Sequence, residues 1–202
     1  EAPTASRAIA LALHDAGVRE AFGLLGGGIA PFAAGLANTP IRFYHCRHEA
    51  GAGFAAIEAH FATGRPGLVV TTTGPGLFNA LNAAMAARID GAKLLVVSGF
   101  TSRAQVGRGA IQETSIHTMP AELTRPGSIF HDVALPETED DLAHALGRIT
   151  RGFARPGGFV AHLGLPLALQ TLLLTRPLSA APAAWTIDAP APSLAAVDAC
   201  LD

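Results

Sequence analysis

Cysteine is nearly absent. Cys46 and Cys200 are the only two in 202 residues and stand far apart, so neither a disulfide framework nor a cysteine metal site is expected. That usage fits a reducing, cytoplasmic setting. Charge is sparse as well: 15% of residues are charged, the net is −2, and no lysine or arginine cluster occurs, which argues against nucleic-acid and membrane-surface partners. No apolar run approaches the ~20 residues of a membrane span. The opening Glu1-Ala2-Pro3-Thr4 lacks the basic and apolar regions of a signal peptide, and the missing initiator methionine suggests a trimmed chain. His45, His48, His117 and His131 show no metal-ligand spacing and read as surface or packing residues, so no metal ligands are assigned here. Also missing is a Gly-x-Gly-x-x-Gly after the first strand with an acidic residue placed for a ribose, which removes a dinucleotide site.

Apolar residues and glycine are abundant. Half of the chain is hydrophobic and 22 residues are glycine, enough for a sizeable core in one domain, or one domain plus an extension. Thr4 or Ser6 can cap a helix that carries Ile9, Leu11 and Leu13 and stops at Gly17. Ala21–Leu25 reads as a strand running into Gly26-Gly27-Gly28 and a helix through Phe32 and Leu36. Ile41–His45 is a second strand, and the Ala/Gly-rich Glu49–Thr63 a tightly packed helix ended by Gly64-Arg65-Pro66-Gly67. The β-branched run Leu68–Thr73 feeds Gly74-Pro75-Gly76, then a helix through Asn79, Leu81 and Met85, then a strand at 93–98. Residues 101–127 lack periodicity, and loops that long inside compact domains are often functional. Ser128–Leu135 reads as a strand, the acidic run Glu137–Asp141 as a helix start suited to the helix dipole, and Gly158–Gly164 as the last strand.

This alternation predicts an α/β fold: three α/β/α layers around a mainly parallel, doubly wound sheet, with ligands beyond the carboxyl ends of the strands. Glu49 and the glycine turns at 26 and 74 each follow a strand and should share that edge. Residues 1–170 are expected to form one domain. After them, 171–202 changes to a proline- and alanine-rich linker or strap that leads into the start of a capped helix at Ser193, as if a following domain began there.

Taken singly, these features have ordinary readings. A glutamate at a helix start is most often a dipole or capping partner, Gly-Pro-Gly most often a tight turn, and a glutamine in an irregular loop most often solvated. Their combination and spacing carry more. Arg47-His48-Glu49-x-Gly51, then Ala62-Thr63-Gly64-Arg65-Pro66-Gly67, then Thr73-Gly74-Pro75-Gly76-Leu77-Phe78-Asn79-Ala80 resembles the N-terminal, pyrimidine-binding domain of thiamine-diphosphate enzymes such as acetolactate synthase and the 2-oxo acid decarboxylases. Phe22-Gly23-Leu24-Leu25-Gly26-Gly27 is similar to the family's Phe-Gly-x-Pro-Gly-Gly turn, with Leu25 in place of proline, and Gln112-Glu113 falls where acetolactate synthase-like members carry a Gln-Glu pair. Pro166-Leu167-Ala168-Leu169-Gln170 lacks the aspartate of the family's Pro-x-Asp-Val.

The resemblance implies a role for each of these residues. Glu49 would hydrogen-bond N1′ of the cofactor's aminopyrimidine and favour the imino tautomer whose exocyclic nitrogen takes the thiazolium C2 proton. Gly74, Pro75, Gly76 and Asn79 would bind the pyrimidine, and Gly26, Gly27 and Gln112 would line the substrate side. It also implies thiamine diphosphate with Mg²⁺, the diphosphate and metal being held by a Gly-Asp-Gly…Asn domain whose motif does not occur in this chain. Expected partners are that domain, on the same or another chain, a homo-oligomer (dimer or tetramer), and a small 2-oxo acid. The favoured expectation is an excised N-terminal domain of a lyase or transferase, inactive alone. The alternatives are a subunit of a naturally split decarboxylase and a non-catalytic binding or assembly module of the same fold.

Overall fold

The computed structural model describes residues 3–113 and 129–178. Helix α1 (Ala5–Asp15) opens the fold, with Thr4 Oγ1 accepting from the Arg7 amide as its cap. It stops where the sequence predicts: Ala16 is the C-cap, and Gly17, at φ 100°, turns the chain toward the sheet. Six strands follow among the described residues: β1 (Glu20–Gly23), β2 (Arg42–His45), β3 (Gly67–Thr71), β4 (Lys93–Phe100), β5 (Asp132–Ala134) and β6 (Phe159–Pro166). All pair in parallel, in the order β2-β1-β3-β4-β6-β5.

Side-chain alternation along the buried strands builds the layers. Leu68 and Val70 join Leu95, Val97, Ala161 and Leu163 under α1, α2 (Ala30–Ala37) and α5 (Glu139–Ala154), with Ile9, Leu13, Phe32, Leu142 and Leu146 as the large fillers. Val69, Leu94, Val96 and Val160 face the other way, under α3 (Glu49–Thr63) and α4 (Pro75–Asp90). The three-layer α/β/α, doubly wound arrangement predicted from the sequence is the one observed. In the second layer the helix fillers are small, chiefly Ala52, Ala56, Ala80, Ala83, Ala84 and Ala87. A side chain on Gly53 of α3 would strike the Ala83 methyl of α4, so these helices lie in near backbone contact.

Some boundaries differ from the sequence reading. β1 ends at Gly23, whose Cα lies so close to Val70 that a side chain would collide with the Val70 backbone, and Leu24 and Leu25 already belong to the turn. β3 ends at Thr71 because Thr72 and Thr73 leave the ladder to pack under the glycine turns. β5 is confined to Asp132–Ala134; Ile129 and Phe130 are instead buried under the second layer, and Ser128 lies outside the described residues. The described part of the irregular segment contains a 3-10 turn, Arg103–Gln105, and its part from 114 to 128 lies outside the described residues. So does most of the predicted strap and final helix, 179–202. The stretch just before that, after the short helix α6 (Leu167–Gln170), folds back on α1: Leu172 accepts from the Ala5 amide at 2.8 Å and Leu174 donates to Pro3 at 3.1 Å.

Topology creates a crevice between β1 and β3. Chain leaving β1 passes to α2 in the first layer, whereas chain leaving the neighbouring β3 passes to α4 in the second. Adjacent parallel strands whose exits go opposite ways leave an opening at their carboxyl ends.

Candidate functional site

Three segments meet at that opening. The first is the N-terminus of α3, where His48 is the N-cap, its Nδ1 accepting from the Ala50 amide at 3.1 Å, and Glu49 is the first helical residue. The second is the turn into α4: Gly74, at φ 64° and ψ −109°, has a conformation suited to glycine, and Pro75 occupies the first helical position, where its missing N–H costs nothing. The third is the Gly26–Gly28 turn after β1, which closes as a 3-10 turn at Gly27–Ile29.

Glu49 is buried, 7% exposed, and Asn79 in the second turn of α4 donates from Nδ2 to its Oε2 at 3.0 Å. The carboxylate also sits at the first position of α3, where unpaired helix N–H groups favour negative charge. Gly76 lies on the other side: a side chain there would reach within 3.3 Å of Glu49 Oε1. Among the described residues Oε1 has no hydrogen-bond partner, so the carboxylate is gripped through one oxygen and offers the other.

Thr72 links the two glycine turns. A side chain on Gly76 would reach within 3.2 Å of the Thr72 methyl, and one on Gly26 within 2.7 Å of the Thr72 hydroxyl. Thr73 does the same deeper down, against Gly28 and Gly99. Gly27 has no atom within 4 Å of where a side chain would begin, so it presents bare backbone to open space.

The structure thus brings Glu49, Gly76 and Asn79 into direct association, with Gly74 and Pro75 shaping the turn that carries them, and reaches Gly26 and Gly27 through Thr72. Gln112 occupies an exposed turn at φ 54°, and the bond that holds Glu49 comes from Asn79 and does not involve it. The sequence reading gave Thr72 and Thr73 no role of their own, although Thr73 opens the quoted Gly-Pro-Gly motif; the further signal is a run of three threonines before Gly74. Gln170 received none either. It is wholly buried, and its side chain bonds the Gly28 carbonyl at 2.8 Å.

Two histidines illustrate structural uses. His162, central in β6 and 4% exposed, pairs through Nε2 with Ser98 Oγ at 2.8 Å between Phe100 and Phe130, and burial pushes its pKa down to about 4. His131 accepts from the Val160 amide through Nδ1 and stacks on Phe159; burial and the Arg88 charge lower its pKa. Among the described residues no group of three His, Cys, Asp or Glu could hold a metal ion, and no helix is long and apolar enough to cross a membrane.

Comparison with known proteins bears on this arrangement. The chain is 35% identical over 146 residues to the large subunit of acetolactate synthase isozyme 2 from Escherichia coli K12, covering 72% of this chain and 26% of that one. It is 31% identical over 180 residues to a candidate 2-ketoarginine decarboxylase of Pseudomonas aeruginosa, covering 88% of this chain and 31% of that protein. The fold matches the X-ray structure of a candidate thiamin diphosphate-dependent enzyme from Mycobacterium smegmatis, with TM-score 0.78, 20% identity, and coverage of 90% of this chain and 34% of the other. The chain therefore spans between about a quarter and a third of the length of these proteins. Residues 3–119, which include both glycine turns, Glu49 and Asn79, match the family described as thiamine pyrophosphate enzyme, N-terminal TPP binding domain, and the chain belongs to that family.

Proposed function

We propose that this chain is the pyrimidine-binding half of a thiamine-diphosphate enzyme acting on small 2-oxo acids, by decarboxylation or by acetolactate synthase-like carboligation. The observation that carries the reading is the buried Glu49 carboxylate, held through Oε2 by Asn79 and open at Oε1 beside Gly76. When bound, the cofactor would supply an acidic C2 carbon whose proton is removed through its own aminopyrimidine. Glu49 would share a proton with the pyrimidine N1′ through Oε1, in a site where burial and a fixed partner make such sharing effective. Asn79 would stop the carboxylate from turning away. Gly74, Pro75 and Gly76 would form the wall on which the ring lies, since a side chain at 76 would occupy the space next to Oε1. Bare backbone at Gly26 and Gly27 would face the substrate, with Gln112 closing that side from its loop.

The rest of the cofactor would be held elsewhere. We assign the diphosphate and Mg²⁺ to a separate domain, on the same chain beyond the part described or on a partner. The exposed apolar residues Phe54 and Phe61 of α3 and Phe78, Met85 and Ile89 of α4, which run from the Glu49 end of these helices toward their far ends, would be the face on which that domain docks in a homo-oligomer of the whole enzyme. We read the chain as the N-terminal domain of a cytoplasmic enzyme, with a subunit of a naturally split enzyme as the alternative; coverage of about a quarter to a third of the relatives fits both.

In the enzyme assembled with its diphosphate-binding domain, Glu49→Gln should lower turnover by at least ~100-fold while cofactor affinity, measured by calorimetry, stays within a few-fold. Unchanged turnover would remove Glu49 from the chemistry.

A further inference from the structure

Gln170 stands far from Glu49 in sequence and carries no charge, yet its side chain is fully buried and every polar group on it is used. Nε2 donates both hydrogens, to the Gly28 carbonyl at 2.8 Å and to the Leu165 carbonyl at the end of β6 at 2.9 Å. Oε1 accepts from the Phe32 amide at 3.3 Å. Phe32 lies in the first turn of α2, whose own N-cap residue, Ile29, has no side-chain oxygen to offer. Gln170 therefore caps α2 from a distance and fastens the preceding glycine turn with the same amide. Its own carbonyl takes the Ser6 hydroxyl at 2.7 Å, which ties the arrangement to α1.

The consequence falls on Gly27. The turn Gly26–Gly28 is pressed on Thr72 at one end, while at the other the Gly28 carbonyl packs against Gly99 so closely that a side chain there would reach within 2.5 Å of it. Between these points the space where a Gly27 side chain would begin is open. Without Gln170, the half-buried carbonyl of Gly28 and the buried amide of Phe32 would both lose this partner, and the turn would have reason to shift toward the open crevice.

We propose that Gln170 is a positioning residue for the substrate side of the site: it sets where the Gly26–Gly28 backbone meets the 2-oxo acid and leaves cofactor activation by Glu49 untouched. This rests on the function proposed above. A residue that merely stabilises the fold would lower stability and impair every step alike. A positioning residue separates them.

The test compares Gln170→Met and Gln170→Glu with the parent in the assembled enzyme. Met keeps the length and removes all three bonds. Glu keeps the bond from Phe32 and loses the two donated ones. The substrate KM should rise about tenfold in Gln170→Met, with deuterium exchange at the cofactor's C2 position unchanged and amide exchange of Phe32 faster in the isolated chain by NMR. Gln170→Glu should keep Phe32 protected and still raise KM, since Gly28 is released. An unchanged KM in both variants, or C2 exchange falling in step with turnover, overturns the proposal. Glu49→Gln in the same assay keeps the two readings apart: if that variant exchanges C2 normally, the site assignment itself fails, whereas slow exchange there with normal KM in the Gln170 variants sinks only the role of Gln170.

Discussion

The two helical layers differ in what fills them. Beneath α1, α2 and α5 the sheet meets Ile9, Leu13, Phe32, Leu142, Leu146 and Ile149, all buried, and Gln170 closes the polar gaps. Beneath α3 and α4 it meets mostly alanine and glycine, with Ile57 and Leu77 as the larger buried fillers, while Phe54, Phe61, Phe78, Met85 and Ile89 stand outward. The first layer spends its apolar side chains on its own core. The second keeps its helices close to each other and leaves its apolar residues for another surface, and it is the second that presents Glu49 and Asn79. Most of the large-residue core thus lies on one face of the sheet, and the Glu49 carboxylate is presented from the other.

Substitutions can break or sharpen this division. Phe32→Ala, in the first layer, should lower the unfolding free energy by about 3–5 kcal/mol, read by urea denaturation; a loss below ~1 kcal/mol would mean that this core is not what holds the fold. Acid should act next. His162 is neutral in the fold down to about pH 4, whereas in the unfolded chain it takes a proton near its ordinary value of ~6.5. Between those values the unfolded state binds more protons, so stability falls as pH falls, by about 3 kcal/mol in all. In His162→Asn that part of the pH dependence should vanish, and an unaltered slope would relocate its origin. The double change Phe61→Asp with Ile89→Asp, in the second layer, should leave the isolated chain within about 0.5 kcal/mol of the parent and weaken association with the diphosphate-binding domain by ~100-fold, measured by sedimentation. Equal association would show that the outward apolar face docks nothing. The smallest effect is expected for Asn79→Ala: about tenfold slower turnover, with stability nearly kept, because the lost bond orients Glu49 and holds no core together.

Much of this was legible in the sequence because it depends on local order. Apolar periodicity placed the strands and helices, glycines at 17, 64 and 74 do take positive φ, and Glu49 does start α3 behind a strand. The end of β3 was misread because Thr71-Thr72-Thr73 is uniformly β-favouring, and only the approach of Gly26 and Gly28 decides where the ladder stops. Contacts between distant segments were not readable. Gln170 meets Gly28 across 142 positions, Asn79 meets Glu49 across 30, and Ser98 meets His162 across 64. His162 did carry a signal, a lone polar residue inside an otherwise apolar strand, which a buried partner explains.

The central claim is that Glu49 governs proton loss from the cofactor while the large-residue core only supports it. The most direct measurement is the rate of deuterium exchange at C2 of bound thiamine diphosphate in the assembled enzyme, parent against Glu49→Gln, by quenched-flow NMR. The account predicts a fall of about 100-fold or more with the cofactor still bound. Exchange at the parental rate would contradict it.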